Sequence, residues 1–80
     1  MYLKGVFLIE NLKYLRESAG YKQNEISSKL GITQGAVSQW EKGLCKPNYK
    51  YLPDLAKIYD CTVDDIIKAI NQTDISPNTA

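Results

Sequence analysis

Eighty residues, 44% of them apolar, suffice for one small core but not for two, so a single folded domain is expected and a disordered chain is excluded. Histidine is absent, Cys45 and Cys61 are too far apart to form a metal-ligand pair, and no apolar run is long enough to span a membrane; two reduced, mostly buried thiols in a cytoplasmic protein are expected. The net charge is only +1, but basic residues crowd positions 11–50 and aspartates crowd positions 51–80, a polarity that suits a molecule meeting phosphate on one side.

Residues 1–5 show no clear period. Their apolar members and neighbours, Tyr2, Leu3, Val6 and Phe7, either cover the domain's own core or pack against a second subunit as a short strand. The run from Val6 to Ile9 is too short for a signal-peptide core and is interrupted by Glu10. Leu8, Leu12, Leu15 and Ala19 recur at helical spacing, which predicts a first helix from about Ile9 to Ala19 that stops at Gly20.

A second helix is expected to begin near Lys22 or Gln23, with Ile26 and Leu30 on one face and Glu25 near its positive end. Gly31 follows at once, where a chain leaving a helix needs positive φ. Ile32 turns toward the core, and the Thr33 hydroxyl can cap a third helix from about Gln34 to Lys42, which ends at Gly43. Val37 and Trp40 form the buried stripe of that third helix. Gln34, Gly35, Ser38 and Gln39 form a second face, which is polar and uncharged. A merely solvated face is rich in lysine and glutamate, whereas amides donate and accept in pairs against a base edge. Two short helices joined by a tight turn, with such a face on the second, make a helix-turn-helix.

Leu44 to Asn48 is expected to be a loop, with Pro47 excluding a helix there. Leu52, Leu55, Ala56 and Tyr59 predict a fourth helix with Pro53 in its first turn. Thr62 caps a fifth, Asp64 and Asp65 sit at its positive end, and Val63, Ile66, Ile67 and Ile70 are expected to line its buried stripe. Trp40, and most of Tyr14, Tyr21, Tyr49, Tyr51 and Tyr59, are expected in the core or at its rim. Residues 71–80 are polar, interrupted by Pro77, and read as a loose tail after a domain spanning 9–70, itself preceded by a segment 1–8.

The stretches NLKYLRESAGYKQNEISSKLGITQGAVSQWEKG and KPNYKYLPDLAKIYDCTVDDII resemble the phage-repressor (Cro/XRE-type) helix-turn-helix family over roughly Asn11 to Ile67. The specific features are Gln23, Gly31, Val37, the WEKG at Trp40 to Gly43, and the later TVDDII. The resemblance implies an all-α, compact five-helix bundle of the lambda-repressor-like kind. It implies a sequence-specific transcriptional regulator, typically a repressor, that binds double-stranded DNA at a palindromic operator as a homodimer with helix 3 in the major groove.

Carried onto this chain, the resemblance puts Gln34 over a base edge, with Gly35, Ser38 and Gln39 completing the reading face. Gln23 would bind a phosphate and brace Gln34. Lys22, Thr33, Lys42, Lys46 and Lys50 are the remaining candidates for phosphate contact, and Arg16 and Glu41 would form a partly buried salt bridge between helices 1 and 3. Two departures stand out. Lys22 replaces the usual Ser or Thr cap, and Gly35 stands where several relatives carry an amide or hydroxyl side chain.

No cofactor, metal, small-molecule ligand or membrane partner is expected. An enzyme is not expected either, because the chain has no histidine, no nucleophile–base pair and no phosphate-cradling glycine loop. With the chain ending soon after the domain, a stand-alone regulator, an antitoxin or a restriction-system controller is the expected kind. An interaction module that kept the fold without binding DNA is the alternative outside that class.

Overall fold

The computed structural model of the chain describes residues 11–73. Over them run five α-helices: α1 (Leu12–Ser18), α2 (Gln23–Leu30), α3 (Gln34–Glu41), α4 (Leu52–Ile58) and α5 (Val63–Thr73). A 3₁₀ turn, Tyr49–Tyr51, leads into α4. No strand occurs among the described residues.

Helices this short are marginal alone and depend on closed ends and a shared core. Four of the five N-termini are closed by side chains, while α4 follows directly on the 3₁₀ turn with Pro53 in its first turn. Asn11 Oδ1 accepts from the Tyr14 N–H at 2.9 Å, and Thr33 Oγ1 accepts from the Ala36 N–H at 3.1 Å. Lys22, before α2, has no acceptor to offer. There the return half of a capping box stands by itself: Glu25 accepts from the Lys22 N–H at 2.7 Å. At α5 both halves form, with Thr62 Oγ1 accepting from the Asp65 N–H at 3.0 Å and Asp65 Oδ2 accepting from the Thr62 N–H at 3.1 Å.

Four C-termini share one closure, the pair of reversed bonds in which the chain turns back through a left-handed residue. For α2 the Ile32 N–H reaches the Ser27 carbonyl at 3.0 Å around Gly31, whose φ is +71°. For α4 the Cys61 N–H reaches the Ala56 carbonyl at 2.9 Å, and the left-handed residue is Asp60 at φ +57°. A Cβ at Gly31 would meet nothing within 4 Å, so the demand there is purely backbone. Gly31→Ala is therefore expected to lower stability by about 1 kcal/mol, read from the denaturant midpoint. An unchanged midpoint would mean that the turn tolerates an L-residue freely.

The core is built from Leu12, Ile26, Val37, Trp40, Leu52, Leu55, Ala56, Tyr59, Ile66 and Ala69. In it α2 packs on α3, α4 packs on α5, and α1 meets both α3 and α5. Trp40 is buried and its ring lies 5.6 Å from that of Tyr51. Pro47 is buried in the loop after α3, and Pro53 occupies the first turn of α4.

Several expectations shift. The first helix starts at Leu12 behind its Asn11 cap, and Ala19 is its C-terminal boundary residue rather than its last turn. The earlier positions Leu8 to Glu10, the apolar segment 1–8, and residues 74–80 lie outside the described residues. In α5 the buried positions are Ile66 and Ala69 with Ile70 at their edge, while Val63 and Ile67 face solvent. That helix also continues to Thr73, past the expected start of the tail. Tyr49 is exposed, Tyr14 is only partly covered, and the Cys45 thiol is exposed instead of buried.

The α5 cap also has a pH signature. The Thr62 backbone N–H, and after it the Thr62 side chain, hold the Asp65 carboxyl below its ordinary value of 3.8. A lowered folded-state pKa means that the contribution is complete above the ordinary value and is lost as pH falls through the folded one. Asp65→Asn should therefore flatten the acid limb of the stability–pH curve and leave its slope near neutrality unchanged. An identical acid limb in the variant would remove this box from the acid response.

Candidate nucleic-acid interface

The first residues of α2 and α3, Gln23 and Gln34, stand side by side, because the Gly31 turn folds the two helices onto each other. Gln34 Nε2 donates to Gln23 Oε1 at 3.3 Å, and Gln23 Nε2 donates to Glu41 Oε1 at 3.0 Å. Glu41 in turn accepts from Arg16, whose Nε is 2.7 Å from Oε2 and whose Nη2 is 3.0 Å from Oε1. A third guanidinium nitrogen, Nη1, donates to the Tyr21 carbonyl at 2.9 Å. The Arg16 and Glu41 side chains are only 9% and 5% exposed. The hydrogen bond that Arg16 donates to Glu41 raises the Arg16 pKa, against an opposing effect of burial.

The four side chains thus form a line from the interior to the surface: a buried ion pair, a half-buried amide and an exposed amide. The order has a chemical consequence. With one N–H committed to Gln23, Gln34 keeps its other N–H and its carbonyl oxygen. One acceptor beside one donor is the pair that adenine N6 and N7 require.

Along the same face of α3, Gly35 is exposed, Ser38 half-buried and Gln39 exposed. A Cβ at Gly35 would have Thr33 Oγ1 as its sole close neighbour, at an ordinary 3.8 Å. The fold therefore does not require glycine here, and alanine would suit the helix better. Gln39 Oε1 accepts from the Cys45 thiol at 3.2 Å. Nothing in the α3 periodicity singles out Cys45, which lies in the next loop. The signal that could have found it is Gly43, whose reversal folds that loop back over the last turn of α3.

Lys22, Lys42, Lys46 and Lys50 are all exposed, and the Lys50 ammonium sits 5.3 Å from the Tyr51 ring centroid. The Thr33 oxygen is engaged in capping, but its own proton remains available to an acceptor. The aspartates lie on other helices, with Asp54 in the first turn of α4 and Asp64 and Asp65 in that of α5. No cluster of residues able to hold a metal ion occurs among the described residues, and no helix among them is long and apolar enough to cross a membrane.

Residues 12–66 match the family model described as Helix-turn-helix, which is more than half of the chain. The chain belongs to the helix-turn-helix family of the phage-repressor (Cro/XRE) type. Among curated relatives of this helix-turn-helix domain is YqaE of Bacillus subtilis, an uncharacterized HTH-type transcriptional regulator. It is 37% identical over 59 residues, covering 74% of this chain and 51% of that protein. The HTH-type transcriptional activator BcrR of Enterococcus faecalis is 29% identical over 72% of this chain and 28% of its own length. Repressor protein C2 of Salmonella phage P22 is 28% identical over 84% of this chain and 32% of its own length. The chain thus spans about half, or less, of the length of these relatives. No solved structure matches the chain significantly.

Proposed function

We propose that this helix-turn-helix domain is the DNA-binding part of a cytoplasmic, non-enzymatic transcriptional regulator. It sets α3 in the major groove of a palindromic operator and works as a homodimer. The observation that carries this reading is the braced amide: an exposed glutamine at the start of α3, held through Gln23 by a buried ion pair. Such pre-organisation serves recognition, since a rigid amide reads a base edge with less entropy to lose. Gln34, Gly35, Ser38 and Gln39 are the base-reading face, and Gln23, Lys22, Thr33, Lys42, Lys46 and Lys50 hold phosphates. The relative named as a repressor supports repression, and the relative named as an activator supports the opposite sign.

Selection of bound duplexes from a random pool tests the reading. The expected outcome is a palindromic consensus whose affinity falls steeply with salt. Failure to enrich any sequence would overturn it in favour of a module that kept the fold without its DNA contact.

The dimer contact is proposed on the solvent side of α5, supported by Val63 and Ile67, which lie four apart and are 37% and 44% exposed. Ile67→Glu should shift sedimentation toward monomer with the helical signal intact, whereas Ile70 packs against the core and is the poorer probe. A dimer unaffected by Ile67→Glu would put the contact elsewhere.

A further inference from the structure

The two amides on the face of α3 are tied by opposite ends. Gln34 is held by its nitrogen, which donates to Gln23, so its carbonyl oxygen is free. Gln39 is held by its carbonyl oxygen, which accepts from the Cys45 thiol at 3.2 Å, so its NH₂ group is free. We infer that Cys45 is a positioning residue that turns the Gln39 amide nitrogen toward the duplex and so makes Gln39 select base edges offering acceptors, guanine O6 and N7 or thymine O4, over adenine.

The contact is part of the helix ending. Around Gly43, at φ +78°, the chain reverses so that the Leu44 and Cys45 N–H groups both reach the Gln39 main-chain carbonyl, at 3.0 and 3.4 Å. Cys45 is thereby fastened by its backbone to the same residue whose side chain its thiol engages. Chemistry sets the direction of that second bond. The thiol is a donor and the amide oxygen a strong acceptor, whereas a thiol sulfur accepts only weakly from an N–H.

The consequence for recognition follows from the base edges. Adenine offers an acceptor beside a donor and therefore needs both ends of an amide, while guanine offers two acceptors to an NH₂ group. Gln34, with one N–H and its oxygen available, fits the first pattern. Gln39, whose oxygen is turned to the Cys45 thiol while both amide N–H groups stay free, fits the second. Two glutamines five residues apart would then read different bases, although their side chains are chemically identical.

The inference rests on the proposed DNA binding, and one experiment separates the two. Duplexes are selected from a random pool by the wild-type chain and by Gln39→Ala, Cys45→Ala and Cys45→Ser, and the positions whose preference Gln39→Ala abolishes are taken as those read by Gln39. There the wild type should select guanine or thymine. Cys45→Ala should raise adenine by about fivefold or more relative to them. Cys45→Ser, which keeps a donor, should retain the wild-type preference. Affinity for a scrambled duplex and the thermal midpoint should be the same in the wild type, Cys45→Ala and Cys45→Ser, which a merely structural contribution from Cys45 would not predict. A wild-type consensus left unchanged by Cys45→Ala, adenine selected by the wild type, or no position depending on Gln39 would each overturn this inference and leave the DNA-binding reading standing. A wild type that enriches nothing would overturn both.

Discussion

Arg16→Met is expected to lower the free energy of unfolding by about 3 kcal/mol, the largest effect of any single polar substitution in the domain. The reason is what it leaves behind. Glu41 is almost wholly buried and accepts two bonds from Arg16, one of them at 2.7 Å. Without the guanidinium its charge is faced, among the side chains of the described residues, by the Gln23 amide alone, and the Tyr21 carbonyl loses its Arg16 donor as well. Removing one partner of a buried pair is costly, whereas removing both is often nearly neutral, because the desolvation cost of the charges disappears with them. Arg16→Met combined with Glu41→Leu should therefore recover most of the lost stability, a non-additivity that denaturant midpoints would reveal. A single variant as stable as the wild type would remove the ion pair from the account.

The second large effect is on binding. Gln34→Ala should weaken binding to the selected operator by about 1–3 kcal/mol and leave binding to scrambled duplex nearly unchanged. A base contact contributes only where the right base is present, while a phosphate contact contributes everywhere. Lys46→Ala should accordingly weaken both kinds of binding and reduce the salt slope by roughly one unit. Because Gln23 holds the Gln34 amide, Gln23→Ala should show part of the Gln34→Ala signature even on duplexes where its own phosphate contact counts equally. Equal losses on the two duplexes for Gln34→Ala would mean that the residue reads nothing.

Much of this architecture is legible in the chain itself. Thr33, Gly31 and Gly43 announce the ends of the two central helices, and Pro53 announces the first turn of α4, because each residue has a local preference that tertiary packing does not overrule. Helical periodicity finds Ile26, Val37, Trp40 and Leu55 for the same reason: large apolar side chains at regular intervals have one face to bury.

The errors are physical as well. On α5 the buried face is centred on Ile66 and Ala69 and is rotated away from Val63 and Ile67, and the small Ala69, which carries little signal, marks where α5 meets the rest of the core. The α1 boundary moves to Leu12 because the Asn11 side chain offers a cap, which an apolar repeat does not report. Tyr49 misleads because the 3₁₀ turn has a tighter period than an α-helix, so positions between Pro47 and Pro53 do not keep the phase of the helix that follows.

The site divides along the same line. The amides of α3 are visible as a polar face without charges, and their candidacy needs no coordinates. What ties each of them is invisible in one dimension. Gln23 and Gln34 are eleven residues apart and meet only because α2 and α3 pack. Cys45 reaches Gln39 only through the reversal at Gly43. Which end of each amide is free is therefore a property of the fold, and on the proposed reading it sets the base each one selects.

The most direct test of the central claim is amide chemical-shift mapping of the isotopically labelled chain titrated with the duplex it selects. With α3 in the groove, the largest changes are expected in the side-chain amides of Gln23, Gln34 and Gln39 and along the backbone of α3, with α4 left almost unchanged. Changes concentrated on α4 with α3 unmoved would contradict it.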